Sequence, residues 1–273
     1  MKLATIRIEG GTAAAVEVDG ALALLPFADI GEWLRAGSPA VDQYDGGTRL
    51  EIDGADFAPL VTAPGKIVCV GLNYREHILE MGRELPEHPT LFAKFADALI
   101  GANDPIVLPP GSEAVDWEAE LAIVIGSKVS QASAEEAAAA IAGFTVANDI
   151  SARDFQRRTP EWLQGKTFDA TTPLGPFLLT ADDAGTAPDL EITCTVDGAA
   201  KQKAQTGDLV FSPIDLVRYI SAITTLHPGD VILSGTPGGV GDGLSPKEFL
   251  TDGSVVTTSI DGIGECRNAC ILR

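Results

Sequence analysis

Hydrophobic positions along the chain fall into short runs rather than long helical stripes. Residues 3–8, 13–18 and 21–25 read as strands, with Gly10-Gly11 separating the first two. Residues 29–36 have helical character, and the Thr-Ala-Pro-Gly-Lys segment at 62–66 interrupts every periodic pattern. The pattern therefore predicts a small β-rich module over 1–62 and a larger unit over 63–273. Downstream, 67–70, 117–125, 144–149, 231–234 and 255–260 are strand candidates. Helices are predicted over 75–82, with Gly82 ending the first, and from Ser133 through Ile141, where Ser133 and Glu136 have capping-box spacing. Another runs over 214–223 behind Ser212-Pro213, a cap residue followed by proline at the first helical position. So few helices among so many strands favour a mixed α+β, β-dominated architecture. A doubly wound sheet would place a helix after nearly every strand.

The 273 residues are enough for one large domain, or a large domain with a small companion, and for a sizeable core. Charge narrows the partners. With 39 acidic against 19 basic residues the formal charge is −20, and no basic run is longer than Arg157-Arg158. Such a chain repels phosphate backbones, which argues against nucleic-acid and anionic-membrane partners. The first residues lack the apolar segment of a signal peptide and no apolar stretch approaches a membrane span, so a cytoplasmic location is expected. Cys69, Cys194, Cys266 and Cys270 contain no C-x-x-C pair, which predicts reduced thiols rather than a zinc site or disulfide framework.

Two glycine motifs lead nowhere obvious. Gly165-Lys166-Thr167 ends like a phosphate-binding loop, but Pro160 stands where that loop needs glycine. The glycine-rich stretch 235–243 lacks the G-x-G-x-x-G order of a dinucleotide site; close backbone approach to a small ligand and a plain turn both remain open.

The most informative stretch is Val115-Asp-Trp-Glu-Ala-Glu120. On a strand, Glu118 and Glu120 project from one face with Cα atoms about 6.5 Å apart. Two like charges at that separation repel by roughly 2.5 kcal/mol at an effective dielectric of 20, so something positive should lie between them. A divalent cation meets that need. Asp149, at the end of an apolar strand, supplies a third carboxylate and completes an all-oxygen set suited to magnesium or manganese, with coordination positions left for substrate and water. An exposed strand edge is the competing reading of the two glutamates. His77 and Glu80, three apart on a short helix, can form a base whose carboxylate orients the imidazole; a surface histidine near a helix end is the alternative. Arg153 and Gln156 lie just beyond Asp149 and could hold a substrate carboxylate. Lys166 could stabilise a developing enolate, although by itself it reads as a solvated surface lysine.

Taken together, several motifs resemble the fumarylacetoacetate hydrolase family. They are Gly71-Leu-Asn-Tyr with His77 and Glu80, Asp116-Trp-Glu-Ala-Glu-Leu, Asn148-Asp-Ile-Ser-Ala-Arg-Asp, Gln164-Gly-Lys-Thr-Phe-Asp, Pro173-Leu-Gly-Pro and Leu233-Ser-Gly-Thr-Pro-Gly-Gly-Val-Gly. The likeness runs from about residue 66 to the C-terminus, and the first 62 residues are similar to the family's variable N-terminal domain. It implies a catalytic domain of mixed β-sheets in a barrel-like roll, a homodimer, and action on 2-oxo or 2,4-dioxo acids with one Mg2+ or Mn2+ per site. Carried over by motif, Glu118, Glu120 and Asp149 would be metal ligands, His77 and Glu80 a dyad on a lid, and Lys166 the active-site lysine. Arg153, Gln156 and Thr236 would lie near the oxo acid. The resulting expectation is a hydrolase that cleaves a C–C bond of an acylpyruvate to pyruvate and a carboxylic acid, water being activated by His77. The alternatives are oxaloacetate decarboxylase or 2-oxo acid tautomerase or isomerase through the same enolate, and, from another class, a noncatalytic oxo-acid-binding protein.

Overall fold

Burial along each strand sets its place in the sheets. Glu191–Val196 and Val255–Ile260 alternate between half-buried and buried residues, as strands with one face to the core do. Ala119–Ile125 is buried at every residue, as a central strand covered on both sides must be. The computed structural model describes every residue except Asp45, Gly46, Met81, Arg83 and Arg273, and the backbone alone of Gln43 and Glu80.

Ala119–Ile125 lies inside an eleven-stranded sheet, antiparallel to Ile141–Asn148 on one side and Val231–Leu233 on the other. Beyond Val231–Leu233 the sheet continues through Ile67–Gly71, in parallel, to Thr90–Lys94 at one edge. In the other direction it passes through Thr172–Thr180 to Lys2–Ile8, Gly11–Val18, Ala21–Leu24 and Arg49–Glu51. The residues before and after position 63 thus share one sheet, joined where Lys2–Ile8 pairs with Thr172–Thr180. A five-stranded sheet of Ala199–Gln205, Glu191–Val196, Val255–Ile260, Gly264–Ile271 and Ile106–Val107 packs against one face. There Leu121, Ile123, Phe144 and Val146 share a core with Ile192, Cys194, Val256 and Cys266. On the other face Ala122 and Val124 join Ile30, Trp33, Leu34 and Leu60. The path runs between two edge strands, so the mixed α+β roll is open. All four cysteines are free, as the sequence predicts, and all four are buried.

Local chemistry explains the helix ends. Ser133 and Glu136 form a reciprocal cap ahead of Ala134–Ala140, and Ser212 and Asp215 do so ahead of Pro213–Ile223. The helix predicted through Ile141 stops one residue earlier, where extended backbone at Ile141 opens the next strand. The strand predicted over 117–125 begins two residues later, at Ala119. Val115–Asp116 pairs with Ser151–Ala152, Ala119–Ile125 enters the large sheet, and Trp117 and Glu118 fall in the break. No helix among the described residues is long and apolar enough to cross a membrane.

Candidate active site

The break before Ala119 is what aims Glu118. Side chains replace the missing ladder there: Asn148 Oδ1 accepts the Glu118 N–H at 2.8 Å and Gln202 Oε1 accepts the Ala119 N–H at 2.9 Å. The Asp149 N–H, immediately after Ile141–Asn148, donates to the Glu118 carbonyl at 2.8 Å. Glu118 therefore leaves the strand geometry expected of it, yet still meets Glu120 and Asp149. One carboxylate oxygen from each of the three lies within 4.8 Å of the others, and all three residues are buried.

Positive charge comes from the protein itself. Lys166 Nζ donates to Glu118 Oε2 at 2.6 Å and Asp149 Oδ2 at 2.8 Å. Lys94 Nζ donates to Asp149 Oδ1 at 2.6 Å and to the Ile150 carbonyl at 3.2 Å. Arg153 pairs through Nη2 with Glu118 Oε1 at 2.6 Å and through Nε with Asp116 Oδ2 at 2.8 Å. Glu120 is held by the Gly235 N–H at 2.7 Å. Gly235 has φ +99°, and a Cβ there would stand 2.9 Å from that of Asn73. The close approach foreseen for the 235–243 loop is thus made, at this residue, to the protein's own chain. Lys166 is not a solvated surface lysine: it is 2% exposed, because two carboxylates from different strands receive it.

These environments set the protonation states. Burial, reinforced by Asp149 and Glu118, pushes the Glu120 carboxyl well above its ordinary range. Burial would raise Asp149 too, but Lys166 and Lys94 outweigh it and hold that carboxyl low. For Lys166 burial works against the cation, and Asp149 and Glu118 more than compensate, so it stays charged. Lys94, Lys166 and Arg153 pair with Asp149, Glu118 and Asp116, and none of these three cations is paired with Glu120. A hard divalent cation, which would displace the Glu120 proton, fits this all-oxygen donor set.

A cavity of about 700 Å3 opens over the cluster, lined by His77, Glu118, Glu120, Arg153, Gln156, Lys166 and Thr236 among others. Every predicted site residue whose side chain is described, Asp149 apart, lines it, and Asp149 stands behind, bonded to Lys166. His77 lies on the helix Arg75–Glu80, whose start is fixed by Asn73, with Nδ2 donating to the Ser234 carbonyl at 2.8 Å and Oδ1 accepting the Phe211 N–H at 2.8 Å. The side chain of Glu80, its expected partner, lies outside the described residues. Arg153 Nη1 donates to Gln156 Oε1 at 3.0 Å, so much of the predicted substrate clamp is occupied in ordering the carboxylates. Thr236 Oγ1 accepts from Gln202 Nε2 at 2.8 Å. Trp162 and Phe92 form an apolar wall, edge to face with centroids 5.4 Å apart. Sequence reasoning missed Lys94 and Gln202. Lys94 ends an ordinary-looking strand and Gln202 sits in a polar one, and neither carries a local signal of its long-range bond.

Similarity to known proteins agrees with this geometry. Residues 66–271 match the fumarylacetoacetate (FAA) hydrolase C-terminal family. The chain is 46% identical over 217 residues to the mitochondrial oxaloacetate tautomerase FAHD2A of Homo sapiens, covering 79% of this chain and 69% of that protein. Its fold superposes on a fumarylacetoacetate hydrolase from Exiguobacterium antarcticum with a TM-score of 0.92 and 32% identity, over all of both chains. It also matches a 2-hydroxyhepta-2,4-diene-1,7-dioate isomerase from Mycobacterium marinum, with a TM-score of 0.82 and 35% identity over all of this chain and 99% of that one. The resemblance suggested by the scattered motifs is thereby established, and the chain belongs to the fumarylacetoacetate hydrolase family of enzymes.

Proposed function

We propose that the protein interconverts the keto and enol forms of a 2-oxo dicarboxylic acid of the oxaloacetate type. The observation that carries this reading is one cavity bringing a titratable imidazole, His77, together with a fixed cation, Lys166, and the cradle of Glu118, Glu120 and Asp149. Tautomerisation moves a proton between C3 and the 2-oxo oxygen and breaks no carbon–carbon bond. It needs a base at carbon and stabilisation of charge at oxygen, and no activated water. Relatives named oxaloacetate tautomerase support this reading over the acylpyruvate cleavage that the sequence favoured.

In the proposed reaction His77 accepts the C3 proton while Lys166, cationic throughout, faces the oxygen on which charge develops. The imidazolium then gives that proton to the oxygen, forming the enol and restoring neutral His77. Glu118 and Asp149 hold the Lys166 ammonium in place and Trp162 limits water access. A divalent ion on Glu118, Glu120 and Asp149, Mg2+ or Mn2+ in this proposal, would add Lewis-acid polarisation of the oxo group. Hydrolysis of acylpyruvates is the second reading, favoured by the full-length likeness to a fumarylacetoacetate hydrolase and by His77 as a candidate base for water.

The test follows decay of the enol absorbance of oxaloacetate, pyruvate release from oxaloacetate and loss of acetylpyruvate, each with Mg2+, Mn2+ and EDTA. Accelerated enol decay without pyruvate supports the tautomerase. Pyruvate from oxaloacetate makes the protein a decarboxylase, and turnover of acetylpyruvate alone makes it a hydrolase. His77→Ala should lower the active rate roughly a hundredfold or more while leaving metal affinity unchanged; unchanged turnover removes His77 from the mechanism.

A further inference from the structure

The wall of the cavity that carries Arg153 carries a second guanidinium with a different attachment. Arg153 and Lys166 are bound to buried carboxylates, whereas Arg157, one residue beyond the helix Arg153–Gln156, pairs with Asp242 in the glycine-rich loop. Both Arg157 and Asp242 line the cavity. The Arg157 side chain is 55% exposed, so solvent weakens this ion pair and it can be exchanged. Asp242 is the anchored member. Its N–H donates to Asp116 Oδ2 at 3.0 Å, and its carboxylate has a second cation, Lys247 Nζ, at 2.7 Å. When Arg157 turns away, Asp242 keeps a counter-charge and no group is left uncompensated.

Resting on the 2-oxo acid reading above, we propose that Arg157 determines specificity by receiving the distal carboxylate of a 2-oxo dicarboxylate, exchanging Asp242 for the ligand. Buried Arg153 and Lys166 mark the floor of the cavity and exposed Arg157 its mouth. A ligand with its 2-oxo acid end at the floor directs its far end toward Arg157, and the 700 Å3 cavity leaves room beyond that head group. A guanidinium meets a carboxylate through paired N–H donors, so a carboxylate at that distal end is the group Arg157 selects.

The test compares ligands of equal chain length that differ in the distal group: 2-oxoglutarate against 2-oxopentanoate, and oxaloacetate against 2-oxobutanoate. Binding to the Mn2+-loaded full chain is read by calorimetry. The wild type should prefer the dicarboxylate of each pair roughly tenfold. Arg157→Gln should abolish that preference while leaving the monocarboxylates within about twofold, Arg157→Lys should retain part of it, and Asp242→Asn, which releases Arg157, should preserve or increase it. A wild type without preference, a preference that survives Arg157→Gln, or equal weakening of both members of a pair overturns the assignment. Because binding is read rather than turnover, a wild type that fails to tautomerise oxaloacetate defeats the functional reading and leaves this one standing, and the reverse holds equally.

Discussion

At the floor of the cavity and beneath it Lys94, Lys166 and Arg153 hold Asp149, Glu118 and Asp116 away from water, while at its mouth Arg157 pairs with Asp242, which has Lys247 as a second partner and stays in contact with solvent. The residue types are the same and the physics is not. Each ion at the floor has lost its hydration at a cost of several kcal/mol, offset only by matched partners, so the arrangement is rigid and intolerant of losing a member. At the mouth the attraction is weakened by solvent and salt, so partners can change at little cost. Chemistry that needs groups aligned before a ligand arrives belongs at the floor, and recognition that must adapt belongs at the mouth.

The largest test of this contrast is Lys94→Met, which strips Asp149 of a buried partner. Unfolding in urea should show a loss of about 3–5 kcal/mol; a loss below about 1 kcal/mol would mean that the floor tolerates an unpaired carboxylate. Next in size is the metal. Mn2+ at a hundred times its dissociation constant should stabilise the protein by about 2.7 kcal/mol, and Glu120→Gln should remove most of that gain in a thermal melt.

A pH series of unfolding measurements without metal probes the floor more gently. The folded Glu120 carboxyl is pushed up by burial, so between its unfolded and folded pKa the native state holds a proton that the unfolded chain has released. Stability therefore falls as pH rises through that window. Asp149, held low in the fold, acts in the opposite sense: its contribution is present above its unfolded pKa and is lost as pH falls through the folded one. Glu120→Gln should erase the falling limb and leave the acid limb in place, and a limb that persists would assign it to another group. The smallest effect is at the mouth, where Arg157→Gln should change stability by no more than about 1 kcal/mol.

What could be read in the sequence was local. Ser133 with Glu136, and Ser212 followed by Pro213, announce their helices because the start of a helix is set within a few residues. Glu118, Glu120 and Asp149 were legible as one site because two share a strand segment and the third ends an apolar run. Lys94 was not, because nothing in Thr90–Lys94 distinguishes a surface lysine from one that meets an aspartate 55 positions away. The departure of Glu118 from the strand was equally hidden, since it depends on Asn148 and on Gln202 from the other sheet. Arg153 was located correctly but its occupation was not, because Asp116 carries no mark of being its partner until the chain folds.

The pairing of Lys2–Ile8 with Thr172–Thr180 bears on how the chain avoids sticking to itself. Of the nine residues in Thr172–Thr180 eight are buried, and Lys2, Leu3 and Ala4 are aligned with Leu179, Leu178 and Phe177. Without the first strands, that apolar segment would offer unpaired backbone donors and acceptors along an exposed side, the usual template for edge-to-edge association. The residues ahead of the family motifs thus cover a strand edge that would otherwise invite association.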